Sequence, residues 1–298
     1  MRSVQPSLWK EEAPTVVGGR LPHPIPYQGS KRQLAERILA FATGRYQRLF
    51  EPFAGSAAIT IAAASRSLAH QYVISDTLAP LMALWRAVLE DPVEVGNRYE
   101  EVWTGQLDDT GHFNQVRTRF NRDGDPVDLL YLLARCVKNA PRFNGEGLFN
   151  QSADLRRRGM RPEKMRREVL GASLLLSSQT QVLSKDFRDV LETAQTTDLV
   201  YMDPPWQGTT YGTDKRYHAG LERDTLIDAL HSLDERGVPY FLSYDGRCGD
   251  RHYGTPLPES VSAVRFDVEA GRSSQATLVG REDVTFESLY VSRLLLSD

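Results

Sequence analysis

The chain has 298 residues, 41% of them hydrophobic and 25% charged, and a formal net charge of -3. That composition excludes a disordered or low-complexity class and is long enough for one full α/β domain plus an inserted or appended module. The slight acidity excludes a protein that coats nucleic acid indiscriminately, so any contact with a polyanion has to come from a local basic face.

In chain order, Ser30 is placed to cap a helix from about Lys31 to Ala42, in which Leu34, Ile38 and Leu39 recur at helical spacing. The stretch Arg48-Leu49-Phe50-Glu51-Pro52-Phe53 reads as a strand running into a small-residue turn, Ala54-Gly55-Ser56-Ala57, and then into a helix of alanines and isoleucines near 56 to 67. Small residues let a ligand approach the backbone, and a new helix offers unpaired N–H groups at its positive end. Gln71-Tyr72-Val73-Ile74-Ser75-Asp76 reads as a second strand ending in an acid. Asp76 lies about 20 residues past the turn, where a carboxylate can accept ribose hydroxyls. A helix near 79 to 90 follows.

From 91 to 179 the β-α rhythm lapses. Leu129 to Ala134 suggest a buried helix, surrounded by polar, Gly-containing and Arg-rich connections. Arg156, Arg157, Arg158, Arg161, Lys164, Arg166 and Arg167 place seven cations within twelve residues. We expect this region to be a separate, mainly helical module inserted into a catalytic domain made of 21–90 and 180–298. A short apolar run, Leu199-Val200-Tyr201-Met202, then reads as a buried parallel strand, and Asp203-Pro204-Pro205-Trp206 follows it directly. Two prolines fix φ and remove two donors, so their carbonyls can point outward as acceptors between an acid and an indole ring. That combination suits a flat base bearing an amino group. A strand near 239 to 245 after a helix near 222 to 236 completes the rhythm of a Rossmann-like doubly wound sheet, and Ser262 to Val268 with Phe286 to Arg293 suggest a terminal hairpin.

Four blocks then carry a resemblance. Pro26-Tyr27-Gln28-Gly29-Ser30-Lys31-Arg32, the Glu51 to Ser56 turn, Asn139 to Asn144 with Gly147 to Asn150, and Lys185-Asp186-Phe187 joined to the Asp203 motif resemble, in order and spacing, the D12 class DNA adenine N6-methyltransferases of the Dam type, in the group whose cofactor motif precedes the catalytic one. The resemblance implies a class I methyltransferase fold that takes a methyl group from S-adenosyl-L-methionine. It implies catalysis by Asp203, Pro204, Pro205 and Trp206. For the cofactor it suggests Tyr27 and Lys31 near the methionine end, Phe53 and Gly55 at the turn, Asp76 on the ribose, and Asp186 with Phe187 at the adenine end. Each also has a plain structural reading: Lys31 as a first-turn helix cation, Phe53 as core, Asp186 as a helix cap. Double-stranded DNA is the implied partner, with Arg142, Asn144, Asn150, Arg156, Arg157, Arg158, Arg161 and Lys164 as its contacts; the resemblance leaves open whether a cognate restriction endonuclease is a second partner. Asparagine also serves turns, and Tyr211 and Tyr217 would either close over a flipped base or help intercalate, or stand as ordinary surface aromatics.

Two departures from the family pattern bear on this. Its turn commonly reads F-x-G-x-G, whereas position 57 is alanine, which a left-handed backbone would strain; and Trp206 stands where tyrosine is more common. The same amine chemistry also serves cytosine N4 or RNA adenine, and Ala57 keeps open a DNA-binding protein with a degenerate cofactor pocket. Cys136 and Cys248 lack CxxC spacing and read as free thiols of a cytoplasmic protein, no metal site is indicated, and no apolar run reaches the ~20 residues that span a bilayer.

Overall fold

The computed structural model describes residues 20–205, 221–248, 251–272 and 284–296. Strands β1 (Tyr46–Glu51), β2 (Ala69–Ser75), β3 (Thr180–Leu183), β4 (Leu199–Met202), β5 (Tyr240–Cys248), β6 (Arg251–Tyr253), β7 (Ala263–Arg272) and β8 (Val284–Ser292) form one sheet in the order β3-β2-β1-β4-β5-β8-β7, with β6 paired to β5. The first five strands of that order are parallel, while β8 pairs antiparallel with both β5 and β7. The expected terminal hairpin is therefore the sheet's antiparallel border.

Strand β4 is buried along its whole length because both faces are covered. Leu49, Leu199, Tyr201 and Phe241 point into one apolar layer, and Phe50, Val200, Met202 and Leu242 into the other, the period-two alternation of a sheet between two helical layers. The first layer holds α1 (Ala35–Leu39), α2 (Ala58–Ser65) and α3 (Ala79–Glu90); the second holds α8 (Phe187–Leu191) and α9 (Arg223–Glu235). Helix α2 is alanine-rich and buried from Ala58 to Ala64, so it packs close against the strands. Around Leu34, the expected single helix is instead a 3-10 turn over Lys31–Gln33 followed by α1. Ser30 makes no cap there, because its hydroxyl accepts a hydrogen bond from Ser56 Oγ at 2.7 Å and fastens the segment to the β1 turn.

Between α3 and β3 lie α4 (Pro92–Gly105), α5 (His112–Asp123), α6 (Pro126–Arg135) and α7 (Pro162–Leu176). Local chemistry sets their ends: Asp91 caps α4 by accepting the Glu94 N–H, Asp125 caps α6 by accepting those of Val127 and Asp128, and Gly124 closes α5 at φ +70°. Helix α7 packs on α2 and α3 as well as on α4, so it continues the first layer and leads into β3. Strand β3 has no counterpart in the sequence reading. It is a partly polar edge strand, and Thr180 to Leu183 show no run of buried residues.

Candidate active site

At the centre of the sheet the chain turns left from β1 to β2 and right from β4 to β5, which is the switch point where open α/β sheets place ligands beyond the strand ends. The registers pair Phe50 with Val200 and with Val73. Extending them three residues brings Phe53, Asp203 and Asp76 to one level on the carboxyl edge. These three were read from separate motifs, and strand pairing alone aligns them.

Asp203 is half-buried, and Pro204 beside it is buried. Its Oδ1 lies 3.0 Å from Lys31 Nζ, which also lies 3.4 Å from Glu287 Oε2 on β8. Burial pushes the Asp203 carboxyl up to about 6; the Lys31 ammonium works against that rise and the Glu287 carboxylate adds to it. For Lys31, burial alone would lower the pKa, but the carboxylates of Asp203 and Glu287 leave it raised. Lys31 is thus an ion-pair partner of the acid rather than a solvated first-turn cation. Glu287 had no sequence signal: it lies in a strand and no motif surrounds it. Trp206, Tyr211 and Tyr217 lie outside the described residues.

The turn after β1 is built by reciprocal bonds. Ala54 N–H donates to Ser75 O at 2.9 Å, Gly55 N–H to Asp76 Oδ2 at 3.2 Å, and Trp85 Nε1–H to Gly55 O at 3.0 Å. Asp76 Oδ1 accepts from Leu78 N–H at 3.0 Å and the Thr77 N–H adds a third backbone bond, so both oxygens are held by the main chain while the carboxylate retains acceptor capacity. Burial raises its pKa against those N–H groups. Gly55 sits at φ +47°, and a Cβ there would stand 3.4 Å from the Tyr27 ring, so glycine leaves a cradle between turn and ring. Ala57 does adopt the left-handed conformation, φ 48° and ψ 38°, as the residue preceding α2. Glu51, buried at the end of β1, accepts the Thr60 N–H at 2.8 Å and so caps α2 from a neighbouring strand. Burial pushes it up to about 7, against the hydrogen bonds from Thr60 and Ile59. An acid directly before the turn was the available clue to that cap.

On the other side of Phe53 its ring meets that of Phe187 at 5.1 Å, and Ser75 Oγ–H donates to Lys185 O at 3.2 Å. Asp186 caps α8 by accepting the Arg188 N–H and pairs with Arg188 Nε at 2.8 Å, so the structural use foreseen for it is present. Tyr27, Gly55, Phe53, Asp76 and the 185–187 segment therefore border one edge with Asp203.

The basic segment is different in kind. Phe143 and Phe149 pair across a hairpin, their rings 5.5 Å apart edge to face. Asn144 Oδ1 accepts the N–H groups of Glu146 and Leu148, which makes Asn144 a turn builder, while Arg142 and Asn150 are exposed. Arg156, Arg157, Arg158 and Arg161 are exposed and Lys164 is partly so; Arg157 pairs with Asp154 and Arg166 with Glu100. Trp103 Nε1–H and Gln106 Nε2–H hold Arg158 O, and Tyr99 O–H holds Met160 O at 2.7 Å, so this loop is anchored to α4. Leu155 within it is 91% exposed. Gln28 N–H donates to Asn139 O at 2.9 Å, tying the segment after α6 to the strand of chain that carries Tyr27 and Lys31.

Comparison with known proteins bears directly on this arrangement. A type II methyltransferase of Lactococcus lactis subsp. cremoris, M1.LlaDCHI, is 24% identical over 87% of this chain and 91% of its own. The Retron Ec67 DNA adenine methylase of Escherichia coli is 27% identical over 77% of this chain and 80% of its own. The type II methyltransferase M.FokI of Planomicrobium okeanokoites is 23% identical over 74% of this chain, which spans 35% of that longer protein. The model of the D12 class N6 adenine-specific DNA methyltransferases matches residues 27–270, from the Tyr27 segment into β7, and the chain belongs to that family.

Proposed function

We propose that this adenine-specific DNA methyltransferase takes its methyl group from S-adenosyl-L-methionine and delivers it to the N6 amine of an adenine flipped out of a specific duplex sequence. The carrying observation is the position of Asp203, a carboxylate at the end of β4 on the same edge and level as the β1 turn. The residues present fit the donor. Its diol suits the remaining acceptor capacity of Asp76, its purine suits the paired Phe53 and Phe187 rings with Asp186 at their edge, and its methionine end suits the cradle between Gly55 and Tyr27. When bound, that donor supplies a methyl group on a cationic sulfur.

The protein's own part is to make a poor nucleophile attack. The adenine N6 lone pair is delocalised into the ring. Asp203 and the Pro204 carbonyl each accept one of its two N–H bonds, which draws the nitrogen towards tetrahedral geometry and frees the lone pair. Ionised Asp203 also stabilises the positive charge that grows on nitrogen, and a proton leaves N6 afterwards. Trp206 stacks on the base. Flipping costs about a few kcal/mol, which phosphate contacts from the exposed Arg142, Arg156, Arg158 and Arg161 offset, with Arg157, Lys164 and Asn150 beside them and the Asn144 turn shaping the hairpin. On this reading 91–179 supplies the DNA contacts, although α7 doubles as part of the catalytic layer. The type II names of two relatives make an endonuclease of the same specificity the partner to look for. The test is incubation with donor and duplex DNA, digestion to nucleosides and mass spectrometry. N6-methyladenine is expected; N4-methylcytosine, or no modified nucleoside from folded protein, would overturn the proposal.

A further inference from the structure

Resting on that reading, we infer that Glu287 is a positioning residue for the reaction: it holds Lys31 together with Asp203 and offsets its charge, so that the site facing the amine keeps a net negative charge. The groups facing Asp203 are Lys31 from the N-terminal segment, Glu287 from β8, Glu51 from β1 and the Tyr201 phenol from β4. With Asp203 and Lys31 alone the formal sum is zero. Adding Glu287 makes it -1, from one ammonium and two carboxylates within 3.0 and 3.4 Å of it. The difference matters because the reacting nitrogen goes from neutral to cationic, and a neutral ion pair stabilises that change far less than a site with one unbalanced carboxylate.

Two independent observations make Glu287 a built feature. Its Oε2 is buried and lies 3.4 Å from the Lys31 ammonium, so its negative charge is held against that cation at the site rather than in solvent. Withdrawing a carboxylate from water is costly, and an apolar residue would serve as well at this position if it only filled space. The backbone also departs from regularity on both sides of it. Strand β5 shifts register between Ser243 and Gly246, the latter opposite Glu287, and β7 shifts between Glu269 and Gly271, opposite Phe286 and Thr285. Bulges re-aim side chains next to active sites, and here two of them flank one carboxylate.

The test is the single-turnover rate of methyl transfer against pH for wild type, Glu287→Gln and Glu287→Asp. Wild-type protein without transfer would remove the functional reading itself and this inference with it. Given wild-type activity, Glu287→Gln should lower the rate on the order of 10- to 100-fold at neutral pH, with donor affinity within about threefold. Its acidic limb should move to lower pH, since loss of a neighbouring negative charge makes Asp203 easier to ionise. Glu287→Asp keeps the charge at a shorter reach and should fall between the two in rate and in limb position. An unchanged rate, or a lowered rate with an unmoved limb, overturns the inference, because a purely structural loss would not titrate. If Glu287→Gln fails to fold, the Asp variant decides: an intermediate profile supports the inference and a wild-type profile overturns it.

Discussion

At the carboxyl edge of the sheet the charges are withdrawn from water and held against one another, whereas from Arg156 to Arg161 the arginines are solvent-exposed on an anchored loop. Asp203, Glu51 and Asp76 all have pKa values raised by burial, and Lys31 is buried between two acids. Arg156, Arg158 and Arg161 by contrast are exposed, and exposed ion pairs such as Arg157 with Asp154 contribute little. Where desolvation is strong, one charge more or less changes chemistry at short range. In water, only the sum over several cations against a polyanion matters, and salt screens it.

The sharpest contrast comes from Asp203→Asn. It keeps the shape and removes the charge, and transfer should fall more than about a thousandfold while donor affinity stays within several-fold, measured by single turnover and calorimetry. Retained turnover would strike Asp203 from its role. In the wild type the same acid should produce an acidic limb near its value of about 6, with activity lost as pH falls through it, because a protonated carboxyl no longer carries the charge that stabilises the cationic nitrogen.

On the solvent side, Arg156→Ala with Arg158→Ala should weaken DNA binding about tenfold or more at low salt and flatten the slope of log affinity against log salt by about 2. Melting temperature should not change, since these side chains are exposed. A salt slope equal to wild type would place the phosphate contacts elsewhere.

Glu51→Gln tests burial without touching the amine. The folded pKa of Glu51, about 7, lies above its ordinary value of 4.5, so the folded state holds more protons between those limits and its contribution to stability falls as pH rises through them. Glutamine can still accept the Thr60 N–H. The variant should therefore gain on the order of 1–3 kcal/mol over wild type at pH 8 relative to pH 4.5, read by denaturant unfolding at both values. A parallel pair of curves would mean that the acid is not desolvated. The smallest effect belongs to Ala57→Gly: relief of a left-handed alanine, about 1 kcal/mol, is offset by one lost buried methyl and a freer unfolded chain. Net stability should stay within about 1 kcal/mol of wild type; a loss above 2 would mean the methyl matters more than the backbone.

Much of the fold and the motif residues could be read from the chain because the signals are local. Leu199 to Met202 is apolar throughout since both faces are covered, the small residues from Ala54 to Ala58 mark a turn packed under a helix, and Asp125 before Pro126 marks a helix start. The order of those signals sufficed for a doubly wound sheet and for placing Asp203 and Asp76 at strand ends. Strand β3 escaped because an edge strand need not be apolar, and the helix expected from Lys31 to Ala42 broke because Ser30 and Lys31 bond to residues far along the chain. Only the folded arrangement could bring Lys31, Asp203 and Glu287 within ion-pair distance, send the Glu51 carboxylate to the start of α2, and turn Asn144 inward to its own hairpin. Patterning reports which face a residue buries; pairing between distant charges depends on strand register and bulges, which no short stretch of sequence encodes.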